Sequence, residues 1–188
     1  MFEQYFDSTK STDIQDELIE GIIRTTMNHG EICVNEPENY ESRAQLAWSA
    51  TMALNGVVGA GKSGGDWATH QMEHSVSAYF DIAHGAGLAI IFPAWMKYVS
   101  RANPSKFVRF AEKIFGITDG TDLEKADKMI EMLQDYYKLL GAPISLTEVG
   151  VKKGDLDKLT ENAALSAPMG NYKKLEKEDI RKIYELAL

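Results

Sequence analysis

The chain has 188 residues, of which 44% are hydrophobic and 26% are charged, and its 28 acidic and 20 basic residues give a formal net charge of −8. This composition is typical of a globular protein and excludes a disordered or fibrous chain. The negative charge disfavours nucleic acid and anionic membranes as partners. With a single cysteine and no apolar stretch long enough to cross a bilayer, the chain is predicted to be soluble and cytoplasmic.

The first half of the chain begins with two predicted helices. Thr12 and Gln15 fit a capping box, and apolar residues then recur at intervals of three or four up to Met27. Gly30 is predicted to end this amphipathic helix. The second helix, Glu41 to Leu54, is rich in Ala, Leu and Met and has apolar residues around most of its circumference, which predicts a buried helix.

The remaining pattern is also helical. Five glycines between positions 56 and 65 interrupt it, and Asp66 is predicted to cap the next helix. A buried helix is predicted from Leu88 to Val99, where Pro93 is compatible only with the first turn or with a kink. Further helices are predicted at Ser105–Phe115, Asp122–Leu140, Asp155–Leu165 and Glu176–Leu186. No strand pattern or linker is present, so residues 1–188 are predicted to form a single all-α bundle of seven to nine helices.

The glycine-rich segment Gly56 to Ser63 matches the phosphate-binding pattern G-x-x-x-x-G-K-[ST] at every position. In nucleotide-binding proteins that pattern follows a buried strand and opens directly into a helix. Here a helical run precedes it, and Gly64 and Gly65 separate it from the next helix. An interhelical loop is therefore favoured, and a nucleotide-binding P-loop is the less favoured alternative.

Three of the four histidines lie within fifteen residues. His70 and His74 are one helical turn apart, and His84 follows His70 by fourteen positions. A continuous helix would separate His70 from His84 by about 21 Å, so the chain must turn between them if they share a site, and the helix is predicted to end between Tyr79 and Ile82. Imidazole nitrogens are ligands for zinc or ferrous iron, but buried, hydrogen-bonded histidines would produce the same spacing. The spacing alone leaves both interpretations open.

The segment from Gly65 to Ile90 resembles the signature of the iron-containing alcohol dehydrogenases. The sequences Trp-Ala-Thr-His at 67–70 and Pro-Ala-Trp-Met at 93–96 are similar to the NAD(P)H-dependent butanol dehydrogenase branch of that family. The resemblance covers essentially the whole chain, more loosely after Arg101. It implies the C-terminal helical domain of a two-domain enzyme, without the N-terminal dinucleotide-binding domain.

The resemblance also implies a chemistry. The family interconverts primary alcohols and aldehydes by hydride transfer, with NAD(P)H and a divalent metal, iron or zinc, as cofactors. His70 and His84 match two of its metal ligands. His74 matches a histidine near the metal and the nicotinamide, which makes it the candidate catalytic and cofactor-binding residue. Asp66 and Glu73 are expected to serve as a helix cap and as support for the metal ligands.

One departure from the family pattern concerns the other two ligands. The family places an Asp and a His just before a Glu-Gln-Tyr-Phe segment, which here occupies positions 3–6, so both would fall before residue 1. The resemblance therefore implies weak metal binding and no dehydrogenase activity for this chain alone. An uncovered apolar face is expected to make it a homo-oligomer. The alternative is a helical scaffold or interaction module with a vestigial metal site.

Overall fold

The computed structural model describes residues 1–188 as nine α-helices with four short 3-10 turns and no β-sheet. This architecture confirms the predicted all-α bundle. None of the helices combines the length and apolar character needed to span a membrane. The helices are α1 (Phe2–Tyr5), α2 (Asp13–Asn35), α3 (Tyr40–Leu54), α4 (Ala68–Phe80), α5 (His84–Val99), α6 (Ser105–Phe115), α7 (Asp122–Leu139), α8 (Leu156–Ala163) and α9 (Lys177–Ala187).

The core is one continuous cluster of 34 buried apolar residues. Helix α5 lies at its centre and packs against α4, α7 and α9. Phe6 follows α1 and joins the core: its ring stacks on Phe107 at a centroid distance of 4.6 Å and lies 6.1 Å from Trp95. Because these three side chains are buried, α1 is fixed against α5 and α6 although it is only four residues long.

Helix α2 continues past Gly30, so the predicted end at that residue is wrong. The glycine is required by packing instead, because a Cβ at Gly30 would overlap the hydroxyl of Tyr136 on α7. That hydroxyl donates a hydrogen bond to the Met27 carbonyl at 3.0 Å. The predicted capping box at Thr12 is also absent, since the Thr12 hydroxyl donates to Asp16 Oδ2 at 3.1 Å.

Helix α3 has almost the predicted bounds but is not buried. Its only buried residues are Ser42 and Ser49, whereas Trp48 is 64% exposed and Leu54 is 86% exposed. The helix packs mainly on α2 and on the turn that follows it, with no second layer above it. The prediction that α3 is buried is therefore wrong for this domain.

The glycine-rich segment connects α3 to α4 and contains the 3-10 turn Val57–Gly59. The side chain of Lys62 is buried there, with its Nζ 3.4 Å from both Asp7 Oδ1 and Asp16 Oδ1. The Ser63 hydroxyl donates to Asp7 Oδ2 at 3.2 Å. Because both side chains bind carboxylates and a helix precedes the segment, the structure does not form a P-loop.

We expect Phe6→Ala to lower the free energy of unfolding by about 3 to 5 kcal/mol, since it opens a cavity among the buried aromatic rings. Leu165→Ala is the control, because Leu165 is 83% exposed; it should change stability by no more than about 0.5 kcal/mol. Urea unfolding followed by circular dichroism measures both. Equal effects of the two variants would contradict the role given to Phe6.

Candidate metal centre

The three clustered histidines meet where α4 ends and α5 begins. Helix α4 ends at Phe80, within the predicted range, and Asp81 then adopts a left-handed conformation with φ of 50°. His84 is the first residue of α5, which agrees with a turn between His70 and His84, although the apolar run alone predicts a start at Leu88. This turn brings the ring centroids of His70 and His84 to 5.1 Å, those of His74 and His84 to 5.5 Å, and those of His70 and His74 to 6.3 Å.

His29 does not join this cluster. It lies on α2, where its Nδ1 is 3.0 Å from the hydroxyl of Ser42 on α3. The structure therefore brings together the three histidines singled out from the sequence and leaves the fourth apart.

Glu73 supports His84 from inside the bundle. It lies on α4, is fully buried, and its Oε2 is hydrogen-bonded to His84 Nδ1. The other oxygen, Oε1, accepts a hydrogen bond from the Ser77 hydroxyl. Helix α5 can approach this carboxylate because residue 87 is glycine: a Cβ at Gly87 would overlap it. Glu73 thus orients the imidazole of His84, and its support of a metal ligand stays a prediction.

Glu3 supports His70 and was missed as a site residue by the sequence analysis. It lies on α1 and is buried, and its Oε1 accepts hydrogen bonds from the backbone N–H groups of Thr69 at 2.8 Å and His70 at 3.3 Å. Its Oε2 lies in contact with His70 Nδ1; both atoms are buried, and neither makes a hydrogen bond. No local pattern signals this contact, because the two side chains are 67 positions apart.

Asp66 does not occupy the cap position itself, which belongs to Trp67 in a left-handed conformation with φ of 63°. Its carboxylate nevertheless accepts hydrogen bonds from the backbone N–H groups of Ala68 at 3.2 Å, Asn171 at 2.6 Å and Tyr172 at 2.7 Å. Burial raises the pKa of Asp66 to about 6, although these three hydrogen bonds act in the opposite direction. Asp66 thus fixes the start of α4 to the segment that precedes α9.

The donor set at this junction fits a divalent metal. Glu73, His74 and His84 offer ligand atoms that all lie within 4.8 Å of one another. His70 is outside that group, but its ring centroid lies 5.1 Å from that of His84. The buried carboxylates of Glu3 and Glu73 are paired with histidines and not with lysine or arginine, so a cation would balance their charge. Pairs of a carboxylate with a histidine Nδ1 also typically orient metal-binding imidazoles, and imidazole suits zinc and iron.

An apolar cavity of about 280 Å³ adjoins this cluster. Glu3 and His70 line it together with apolar side chains, among them Leu88 and Phe92 of α5. A mostly apolar cavity with a few polar groups on one wall is typical of a site for a small organic molecule.

Together, the fold and this cluster define an all-helical domain with the residue types of a metal centre. Residues 1–188 match the family described as "Fe-containing alcohol dehydrogenase family, C-terminal". The chain belongs to this family and corresponds to its C-terminal helical domain, which confirms the resemblance found in the sequence.

Relatives and solved structures agree with this assignment. The chain is 37% identical to the probable NADH-dependent butanol dehydrogenase 1 of Bacillus subtilis, over 100% of this chain and 49% of that protein. NADH-dependent butanol dehydrogenase A of Thermotoga maritima superposes with a TM-score of 0.93 at 48% identity, over 99% of this chain and 48% of that one. The aldehyde reductase YqhD of Escherichia coli superposes with a TM-score of 0.94 at 33% identity, over 99% of this chain and 49% of that one. The chain therefore spans about half the length of these relatives.

Proposed function

We propose that this chain is the metal-binding domain of an NAD(P)H-dependent dehydrogenase that interconverts primary alcohols and aldehydes, with a divalent metal, iron or zinc, held by His70 and His84. The observation that carries the proposal is the pair of imidazole rings 5.1 Å apart, each with its Nδ1 against a buried carboxylate. The names of the relatives, NADH-dependent butanol dehydrogenase and NADPH-dependent aldehyde reductase, support the substrate class and the cofactor.

Each residue of the cluster has a proposed role. A metal bound here supplies Lewis-acid polarisation of the alcohol or aldehyde oxygen. His70 and His84 provide Nε2 as ligand atoms, since their Nδ1 atoms face Glu3 and Glu73. His74 is exposed on the same face of α4, one turn from His70, so we assign it to proton transfer and to contact with substrate and nicotinamide. The adjoining apolar cavity favours a small, apolar alcohol.

Metal content tests this proposal directly. In equilibrium dialysis against a fixed concentration of free Zn²⁺, elemental mass spectrometry should find more zinc bound to the unmodified chain than to His70→Ala or His84→Ala, because each variant removes one of two ligands. His29→Ala is the matched control, since His29 lies outside the cluster, and it should retain zinc. Zinc-free unmodified chain, or equal zinc in all four proteins, would contradict the proposal.

Hydride transfer should require more than these 188 residues, which contain no β-sheet of a dinucleotide-binding domain. We expect the polypeptide alone to show no oxidation of NADH or NADPH in the presence of butanal. Adding the separately produced remaining half of a butanol dehydrogenase relative should restore turnover if the two halves associate. Turnover by the polypeptide alone would contradict this expectation, whereas failure of both zinc binding and complementation would favour a scaffold module with a vestigial site.

Self-association is the proposed state of the isolated domain, supported by the exposed apolar side chains of α3. Tyr40, Trp48 and Leu54 are all more than 60% exposed on this helix. Trp48→Glu should shift the population toward monomer in size-exclusion chromatography with light scattering, because it places a charge on the apolar surface. Leu165→Glu, an exposed change outside α3, is the control. A monomeric unmodified chain at high concentration would refute self-association.

A further inference from the structure

We propose that Glu3 and Glu73 are positioning residues that keep the proton of His70 and His84 on Nδ1, and that only Glu73 can be replaced by glutamine in this role. The inference rests on the proposed function for what binds the free Nε2 atoms. The position of the protons, however, is a property of the metal-free chain and can be measured without any metal.

The two carboxylates share one arrangement. Each has one oxygen hydrogen-bonded to a residue of α4 and the other in contact with the Nδ1 of a histidine. The Glu73–His84 contact has hydrogen-bond geometry, whereas Glu3 Oε2 and His70 Nδ1 are in close contact without it. Because a carboxylate only accepts hydrogen bonds, a neutral imidazole facing it must carry its proton on Nδ1. The lone pair is then on Nε2, on the side of the ring away from the carboxylate, where a cation can be bound. Burial of both carboxylates keeps water from competing for these contacts.

The position of an acceptor oxygen is fixed at Glu3 by its backbone partners. Its Oε1 accepts from the backbone N–H groups of Thr69 and His70, and a backbone N–H can only donate. In Glu3→Gln the amide oxygen must therefore take the Oε1 position, which turns the NH₂ group toward His70 Nδ1. That nitrogen would then have to accept a hydrogen bond, so the proton would move to Nε2 and remove the lone pair needed by a cation.

Glu73 differs because its scaffold partner is a hydroxyl, which can both donate and accept. The Ser77 hydroxyl donates to Glu73 Oε1, but it also lies 3.3 Å from the Ile82 carbonyl and can donate there instead. In Glu73→Gln the NH₂ group can donate to Ser77 Oγ while the amide oxygen faces His84 Nδ1. His84 would keep its proton on Nδ1, although the variant loses the same charge as Glu3→Gln.

The two glutamine variants therefore separate the position of the proton from the loss of charge. In alkaline buffer, nitrogen-15 NMR of the metal-free chain should show the neutral rings of His70 and His84 protonated on Nδ1. Glu3→Gln should move the proton of His70 to Nε2, and Glu73→Gln should leave that of His84 in place. A role in folding alone would produce no such selective change.

Zinc affinity, measured by competition with a chelator, provides the second readout. Glu3→Gln should weaken Zn²⁺ binding by about 10- to 100-fold, the usual effect of losing the partner of a ligating histidine, whereas Glu73→Gln should stay much closer to the unmodified chain. Glu20→Gln is the matched control: Glu20 is also fully buried, but it binds Tyr5 and Arg109 away from the histidines. Glu20→Gln can lower the free energy of unfolding, but the zinc affinity of the folded protein should stay that of the unmodified chain.

Three results would overturn the inference. They are an Nε2-protonated His70 in the unmodified chain, an unchanged proton position in Glu3→Gln, and equal loss of zinc affinity in both glutamine variants, which would show that charge alone matters. The first needs no variant, so it decides the question even if Glu3→Gln fails to fold. A chain that binds no zinc but has both protons on Nδ1 would refute the proposed function and leave the positioning role intact.

Discussion

The candidate site depends on two carboxylates buried where α1, α4 and α5 meet. Removing a carboxylate from water is costly unless hydrogen bonds and a countercharge compensate. Glu3 and Glu73 obtain hydrogen bonds from α4, and each faces a histidine as its remaining partner. The histidine positions follow from that constraint, because the rings must turn toward the carboxylates. A divalent cation between the rings would add countercharge to both carboxylates.

The rest of the fold holds these two carboxylates in place. Phe6 and its aromatic neighbours fix α1, which carries Glu3, against the core. The turn at Asp81 and the glycine at position 87 bring α5 close enough for His84 to reach Glu73. Lys62 forms an ion pair with Asp16 and so holds the glycine-rich loop against α2. This contact also fixes the segment that leads into α4. A sequence that resembled a phosphate-binding loop thus has a structural role at the edge of the site.

Much of the fold was predictable because helices are determined by neighbouring residues. The periodicity of apolar side chains gave the bounds of α6 and α7 to within one residue, and the spacing of the histidines predicted the turn before α5. The predictions that are wrong concern features determined by contacts between residues far apart in the sequence. Gly30 is required by Tyr136 rather than by a helix end, and the exposure of α3 depends on which surfaces the remaining helices cover. Glu3 was unrecognised for the same reason, since its partner is 67 residues away.

The central claim is that imidazole nitrogens oriented by buried carboxylates bind a divalent cation at this junction. X-ray absorption spectroscopy at the zinc edge of the zinc-loaded chain tests it most directly, because the scattering from imidazole rings differs from that of single oxygen ligands. The account predicts at least two imidazole ligands at about 2.0 to 2.1 Å, contributed by His70 and His84. A first shell made only of oxygen atoms would contradict it.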